Sequence, residues 1–467
     1  MQMLTYVFEQ SNIPLYEQVY QHIKADIIAG VLKAGDRLPS KRTFAKNNGV
    51  STITIQTAYD QLISEGYVYA IPKKGYYAAD IGEMQRIPKV SSISLDIHLP
   101  KEPKRYEIDL SGNQMNTDSF PFTVWTRLMR EIISDKQKAL MEASPTCGIY
   151  ELREAIANHL KSFRGMLVDP NQIIVGAGTE YLYSLLIQLL GSDKEYCIEN
   201  PGYTKLVQIY SRYQIACRFA SMDEYGITVK ELRQSGADIA HICPNHHFPT
   251  GITMPANRRY EVLAWANEEK GRYIIEDDYD SEFRTNGKPL PTLFGMDACE
   301  KVIYINTFSK SLTPTIRIAY MVLPVHLMNR FYRELSFYSC TVSNFEQYTL
   351  AAFMKRGYFE KHINRMRLYY SRQRKKLLEC LEKSRLHKIS QVMENESGLH
   401  FLIRFDTEIS EAEIAERLAE KKIRLQPLSE YFMVPDAGKK YYYIISYSDI
   451  KVEEMERAFE EIYECMQ

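Results

Sequence analysis

From about Tyr106 to the C-terminus, short apolar β-rich runs alternate with amphipathic helical stretches, and few architectures tolerate that alternation. Strands that are apolar along their whole length must be covered on both faces, and helical crossovers supply the cover. The pattern therefore specifies an α/β domain with a mostly parallel central sheet. The first 78 residues follow another pattern, in which short helical segments lead into an aromatic hairpin. Residues 79–105 are polar, carry Pro88, Pro100 and Pro103, and read as a linker. A chain of 467 residues exceeds what one core supports. We expect an N-terminal domain at 1–78 and a large domain at 106–467.

In the N-terminal region Leu15, Val19, Ile23 and Ile27 recur every four residues and form one helical stripe that ends near Gly30. The pattern restarts at Pro39-Ser40, with Ser40 as cap. That helix runs to about Asn47, and Asn48-Gly49 makes a tight turn. Ser51 or Thr52 can cap the next helix, on which Ile55, Tyr59, Leu62 and Ile63 share a face and Thr52, Thr54 and Gln56 point away from the core. Helix, turn and helix at this spacing bring the first turn of the later helix to a DNA major groove. Thr54 and Gln56 suit base edges there, Gln56 in particular adenine; Ser51 and Thr52 are further DNA-binding candidates, and Lys41 and Arg42 suit phosphates. Beyond Gly66, YVYAIPKKGYY predicts a hairpin whose tip, Lys73-Lys74-Gly75, lies over the backbone or minor groove. A small helical protein-interaction domain is the alternative.

Lys and Arg total 58 against 59 Asp and Glu, a net charge of -1, so attraction to nucleic acid has to come from a local patch. Lys33, Arg37, Lys41, Arg42 and Lys46 against Asp36 alone provide one. The eight cysteines lie scattered without CxxC pairs, and MQMLTYVFEQ lacks a basic segment followed by an apolar run. Both point to a reduced, cytoplasmic protein. No stretch approaches the roughly 18 apolar residues of a membrane span, so no membrane partner is expected. Cys243 with His246 and His247 could suggest a metal site, but no second cluster has ligand spacing, and none is expected.

Four segments of the large domain carry chemistry. In KVIYINTFSKSLTPTIRIAYMVLP an apolar run, Val302 to Ile305, leads into a hydroxyl-rich turn with Lys310; Arg317 follows before a second run, Ile318 to Leu323. A lysine in such a turn can form a Schiff base, and Thr307, Ser309 and Arg317 would hold a phosphate dianion beside it, as pyridoxal 5'-phosphate demands. An ordinary loop lysine is the alternative. In RYIIEDDYDSEF the run Tyr273 to Ile275 opens into acids at the carboxyl edge of the sheet, where ligands bind. Asp277 beneath a pyridine nitrogen would keep it protonated, and Tyr279 could donate to the phenolate oxygen. Glu276 to Asp278 could instead be a metal site. IIVGAGTEYLYSLLIQLL reads as strand, glycine turn and helix, with the N–H groups of Gly178, Thr179 and Glu180 facing a phosphate. In CIENPGYTKL, Tyr203 could pack on the cofactor, although taken alone it reads as a core residue.

LPSKRTFAKNNGVSTITIQTAYDQLISEGYVYAIPKKGYY resembles the winged helix-turn-helix of GntR-type regulators, with Thr52 where many members carry arginine. The four segments, with ICPNHHFPTGITMP among them, resemble fold-type I aminotransferases across nearly all of Tyr106 to Gln467. The whole chain resembles the MocR subfamily of bacterial transcription regulators, and GAGTEYL, IIEDDYDSEF and TFSKSL are especially similar to its GABA-responsive member. The resemblance implies pyridoxal phosphate held as an internal aldimine by Lys310, its pyridine nitrogen on Asp277, its phenolic oxygen on Tyr279 and its phosphate on Ser309 and Arg317. It also implies a head-to-tail homodimer bound to double-stranded promoter DNA.

Some positions depart from those families. Phe248 occupies the place of the asparagine expected before Pro-Thr-Gly, so the cofactor either goes without that hydrogen bond or receives it from Asn245 or His246. Ile444 stands where many aminotransferases hold the substrate carboxylate with arginine. Lys205 and Glu430 stand where the GABA-responsive regulator uses two arginines, a pair that disfavours GABA and favours a ligand with a second amine, or pyridoxal phosphate itself. The implied function is a pyridoxal-phosphate-dependent regulator sensing an amine, an amino acid or the cofactor. An active aminotransferase with a DNA-binding appendage is the alternative, and a scaffold without cofactor a third reading.

Overall fold

Three helices and a three-stranded antiparallel sheet form the smaller of two units, in a computed structural model that describes residues 4–8, 13–82, 97, 99, 104–111, 119–284, 290–393, 398–436, 441–448 and 450–467. The units divide at Met1–Glu102 and Pro103–Gln467. Pro88, Pro100 and Pro103 of the expected linker lie outside the described residues.

The first helix, Leu15–Ile28, buries Val19, Ile23 and Ile27 but leaves Leu15 exposed. A four-residue spacing drifts about 40° per step around a 3.6-residue turn, so one end of such a stripe leaves the packed face. The second helix, Lys41–Asn48, starts where Ser40 Oγ accepts from Thr43 N at 3.2 Å. It stops at Gly49, whose φ of +64° suits a residue without Cβ. Asn48, expected in the turn, belongs to the helix and anchors the N-terminal segment: its Nδ2 donates to Leu4 O, and its Oδ1 accepts from Tyr6 N. The third helix, Thr52–Ser64, is capped by Ser51 and buries Ile55, Ala58, Tyr59 and Leu62, while Ile63 is only half-buried. Tyr59 stacks edge-on against Phe44 and Tyr76, and its hydroxyl donates to Pro39 O at 2.9 Å, which ties the hairpin Val68–Ile71 and Gly75–Ala78 to the helices.

The larger unit is built on an eight-stranded sheet in the order Ile173–Gly176, Ala319–Val322, Val302–Thr307, Tyr273–Asp277, Ile239–Ile242, Tyr196–Asn200, Cys217–Asp223, Gly226–Ile227. Ala319–Val322 and the edge strand Gly226–Ile227 run antiparallel to their neighbours, and the other six strands share one direction. Most strand positions, and all those of Ile173–Gly176 and Val302–Thr307, are buried, as expected of a sheet covered on both faces. A second, antiparallel sheet joins Ser390–Met393, His400–Phe405, Tyr442–Ser446 and Gln426–Pro427. Among the described residues no helix is long and apolar enough to cross a membrane, and no group of three or more His, Cys, Asp and Glu is arranged to hold a metal.

Candidate functional site

Because six strands share a direction, their carboxyl ends gather at one edge of the sheet, and the residues just beyond them line a cavity of about 380 Å³. Gly176 leads to the helix Thr179–Leu190, Asn200 to Tyr203, Ile242 to Cys243, and Thr307 to the short helical turn Phe308–Ser311 that carries Lys310. Arg317 precedes the antiparallel strand Ala319–Val322. Ala319 pairs with both Gly176 and Thr307, so Arg317 enters at the same edge.

Strand alternation sorts the three tandem acids. Asp277 faces the cavity, whereas Glu276 and Asp278 face the opposite layer. Glu276 accepts from Leu293 N and Phe294 N at 3.0 and 2.9 Å, and burial raises its pKa to about 7. Asp278 accepts from Arg164 Nη2, from Tyr304 Oη at 2.6 Å and from Asn245 Nδ2 at 2.9 Å. Both therefore act as ties between layers.

Asp277 Oδ2 accepts the Tyr183 hydroxyl at 2.5 Å and lies 3.5 Å from His241 Nε2, whose Nδ1 is 2.7 Å from the Tyr210 hydroxyl. Asp277 Oδ1 is buried and has no hydrogen-bond partner among the described residues. A carboxylate oxygen in this state has room for a donor, and a protonated pyridine N–H would give it a charge-assisted hydrogen bond. Desolvation lowers the pKa of Lys310 to about 8, against the pull of Asp280. Thr307 Oγ1 bonds Ser309 Oγ at 3.0 Å and accepts Ser309 N at 3.1 Å, folding two hydroxyls into one corner. A Cβ on Gly178, whose φ is +90°, would lie 2.4 Å from Arg317 Nη2, so only glycine lets the guanidinium rest on that turn. An amine of lowered pKa, an unsatisfied carboxylate oxygen and an anion cradle thus fit pyridoxal 5'-phosphate.

Of the residues singled out in the sequence, Lys310, Asp277, Tyr279, Tyr203, Thr179, Glu180, Thr307, Ser309, Arg317 and Lys205 line this cavity, and Gly178 backs it. Tyr203, which alone reads as core, is 42% exposed at the start of the helix Thr204–Arg212. The Glu180 side chain is paired with Lys205 and, at 2.8 Å, with Arg317 Nη2, whereas the phosphate contact expected of Glu180 is through its backbone N–H in the first turn of Thr179–Leu190. Asn245 and His246 are not among the lining residues. Asn245 bonds Glu276 and Asp278, and His246 Nδ1 lies 2.7 Å from Asp280 and 3.1 Å from the Tyr279 hydroxyl. Glu430 is exposed and accepts from Gln426 at 2.8 Å; its neighbour Tyr431 is the side chain that reaches Phe248, at 5.2 Å between ring centroids. Tyr183, Glu199, His241, His247 and Phe248 also line it without having been singled out as site residues. Tyr183 sits one helical turn after Thr179, and His241 pairs with Ile275 on the face that carries Asp277. Both become visible once the register is known.

In the smaller unit the first two turns of Thr52–Ser64 are open to solvent at Thr52, Ile53, Gln56 and Thr57. Ser51 Oγ accepts Thr54 N at 3.0 Å and lies 2.8 Å from Thr54 Oγ1, so both hydroxyls serve the cap first. Arg42, Lys73 and Lys74 are exposed. Lys41 is 3.7 Å from Asp60 and lies over the Tyr76 ring, a partly engaged cation rather than an open one. Gly75 begins the second hairpin strand, with the Arg37 guanidinium against it.

Residues 15–77 match the family of bacterial regulatory proteins called the gntR family, and residues 106–462 match aminotransferase class I and II. The chain is 34% identical over 422 residues to the HTH-type transcriptional regulator YdeL of Bacillus subtilis (strain 168), covering 90% of each chain. It is 30% identical over 436 residues to the probable rhizopine catabolism regulatory protein MocR of Rhizobium meliloti, covering 90% of this chain and 88% of that one. Among solved structures, the multiple substrate aminotransferase of Thermococcus profundus superposes with a TM-score of 0.68 at 24% identity, over 78% of this chain and 92% of that one, a likeness of fold. The chain therefore belongs to the MocR-type HTH transcriptional regulators, in which a gntR-family reader is joined to a pyridoxal-phosphate-binding aminotransferase class I and II domain.

Proposed function

We propose that this regulator binds promoter DNA as a head-to-tail homodimer and senses an amine, an amino acid or pyridoxal phosphate itself at Lys310. Domains at 1–78 and 106–467, joined through 79–105, divide the two tasks. Pyridoxal phosphate supplies an aldehyde and an electron-withdrawing ring. Around it, Lys310 would hold the aldehyde carbon, Asp277 the pyridine N–H, Tyr279 the phenolic oxygen, and Thr307, Ser309 and Arg317 the phosphate. The observation that carries this reading is the buried Asp277 Oδ1, without a partner among the described residues, in one cavity with Lys310.

An amine ligand must displace the Lys310 amine, and only unequal affinity for two DNA-bound arrangements can turn that exchange into a signal. GABA is not the expected effector. Lys205 is already paired with Glu180, and Ile444, where a carboxylate-binding arginine would help, is buried among Leu402, Leu428 and Tyr431. Calorimetric titration of the holo-protein with GABA and with a panel of diamines tests this. Tight GABA binding with a change in cofactor absorbance would contradict it.

A second reading, an active aminotransferase, is favoured by the intact pair of Lys310 and Asp277. Steady-state assays over amino acids and 2-oxo acids separate the two: multiple turnovers at ordinary enzyme rates support the enzyme, and a single slow half-reaction at most supports the regulator.

A further inference from the structure

We infer that Ile53 reads a thymine 5-methyl group in the major groove, with Gln56 on adenine beside it. The half-site under the first two turns of Thr52–Ser64 is then rich in A·T pairs. The inference rests on the reading of the smaller unit as a promoter binder and goes further by assigning its base preference.

Ile53 is 75% exposed on a helix that buries Ile55, Ala58, Tyr59 and Leu62, so among the described residues this large apolar side chain takes no part in the core of the smaller unit. One turn on, the Thr57 hydroxyl donates to Ile53 O at 3.1 Å, which commits its proton to the helix. What the open face offers a base pair is therefore an isoleucine, threonine side chains and one amide, Gln56. The thymine methyl is the apolar feature of the major groove, and adenine N6 and N7 match a carboxamide. Guanine O6 and N7 are matched by arginine or lysine, and TITIQTAYDQLIS contains neither but does contain Asp60. On the preceding helix Lys41 is turned toward Asp60 and Tyr76. The exposed cations Arg42, Lys46, Lys73 and Lys74 lie on other elements and suit phosphates, which position the reader without specifying sequence.

The test uses the full chain loaded with pyridoxal phosphate. Selection from a randomised duplex pool is followed by binding measurements in which each enriched thymine is replaced by deoxyuridine, which removes the methyl alone. The expected result is an A·T-rich half-site in which at least one such replacement weakens wild-type binding about fourfold, the worth of one buried methyl. In Ile53→Ala the thymine and uridine duplexes should bind within about twofold of each other. Guanine enriched at the positions read, uridine binding the wild type as tightly as thymine throughout, or duplex binding with no enriched sequence would each overturn the inference while leaving DNA binding intact. Failure of the wild type to bind any duplex would overturn the promoter-binding reading as well.

Discussion

Lys310 holds its amine in a desolvated pocket, and its pKa of about 8 sets a pH dependence. Attack on an aldehyde needs the neutral amine. Below pH 8 most of the amine carries a proton, and above it most does not. Capture of pyridoxal phosphate by the apo-protein should therefore accelerate as pH rises from 7 toward about 8 and level off beyond it, followed by absorbance. Asp277 is held by Tyr183 and His241 with one oxygen left open. Asp277→Asn keeps the shape and removes the charge, and should weaken cofactor retention by about 1.5–3 kcal/mol in equilibrium dialysis. Retention at the wild-type level would remove Asp277 from the pyridine contact.

At the scale of elements, the strand Tyr273–Asp277 serves two layers at once, and its alternation lets one run of acids do both. Arg164 and Asp278 form a pair whose side chains are 3% and 1% exposed. Arg164→Leu would leave Asp278 with neutral donors alone and should destabilise the large unit by about 3–5 kcal/mol in chemical denaturation. In the smaller unit the second helix depends on one cap. Ser40→Ala removes the acceptor for Thr43 N and should lower stability by about 1 kcal/mol, read as a shift of the urea midpoint at constant slope.

For the whole molecule, the two units have separate cores, with Phe44 and Tyr59 central to one and the eight-stranded sheet to the other. Damage to one site should therefore leave the other folded. Lys310→Ala should abolish borohydride-trappable cofactor attachment while DNA affinity stays near that of the wild type; loss of both would make the lysine structural. Arg42→Ala should lower DNA affinity and reduce the slope of log affinity against log salt by about 1, because one phosphate contact releases about one counterion.

The amino-acid sequence alone determined the division into a basic reader and an α/β body, the cap at Ser40, and the place of Lys310, Asp277 and Arg317 beside strand ends. Those features are local: a period, a cap or a charged residue at a strand end can be read within about a dozen neighbours. Tertiary structure decided what distant segments share. Register put His241 and Asp277 on one face, and Glu180 met both Lys205 and Arg317. Asn245 and His246 turned to the acids of the next strand, and Tyr431 rather than Glu430 reached Phe248. Such pairings join residues tens to hundreds of positions apart, and their geometry is fixed by sheet order and packing, which no short window of sequence contains.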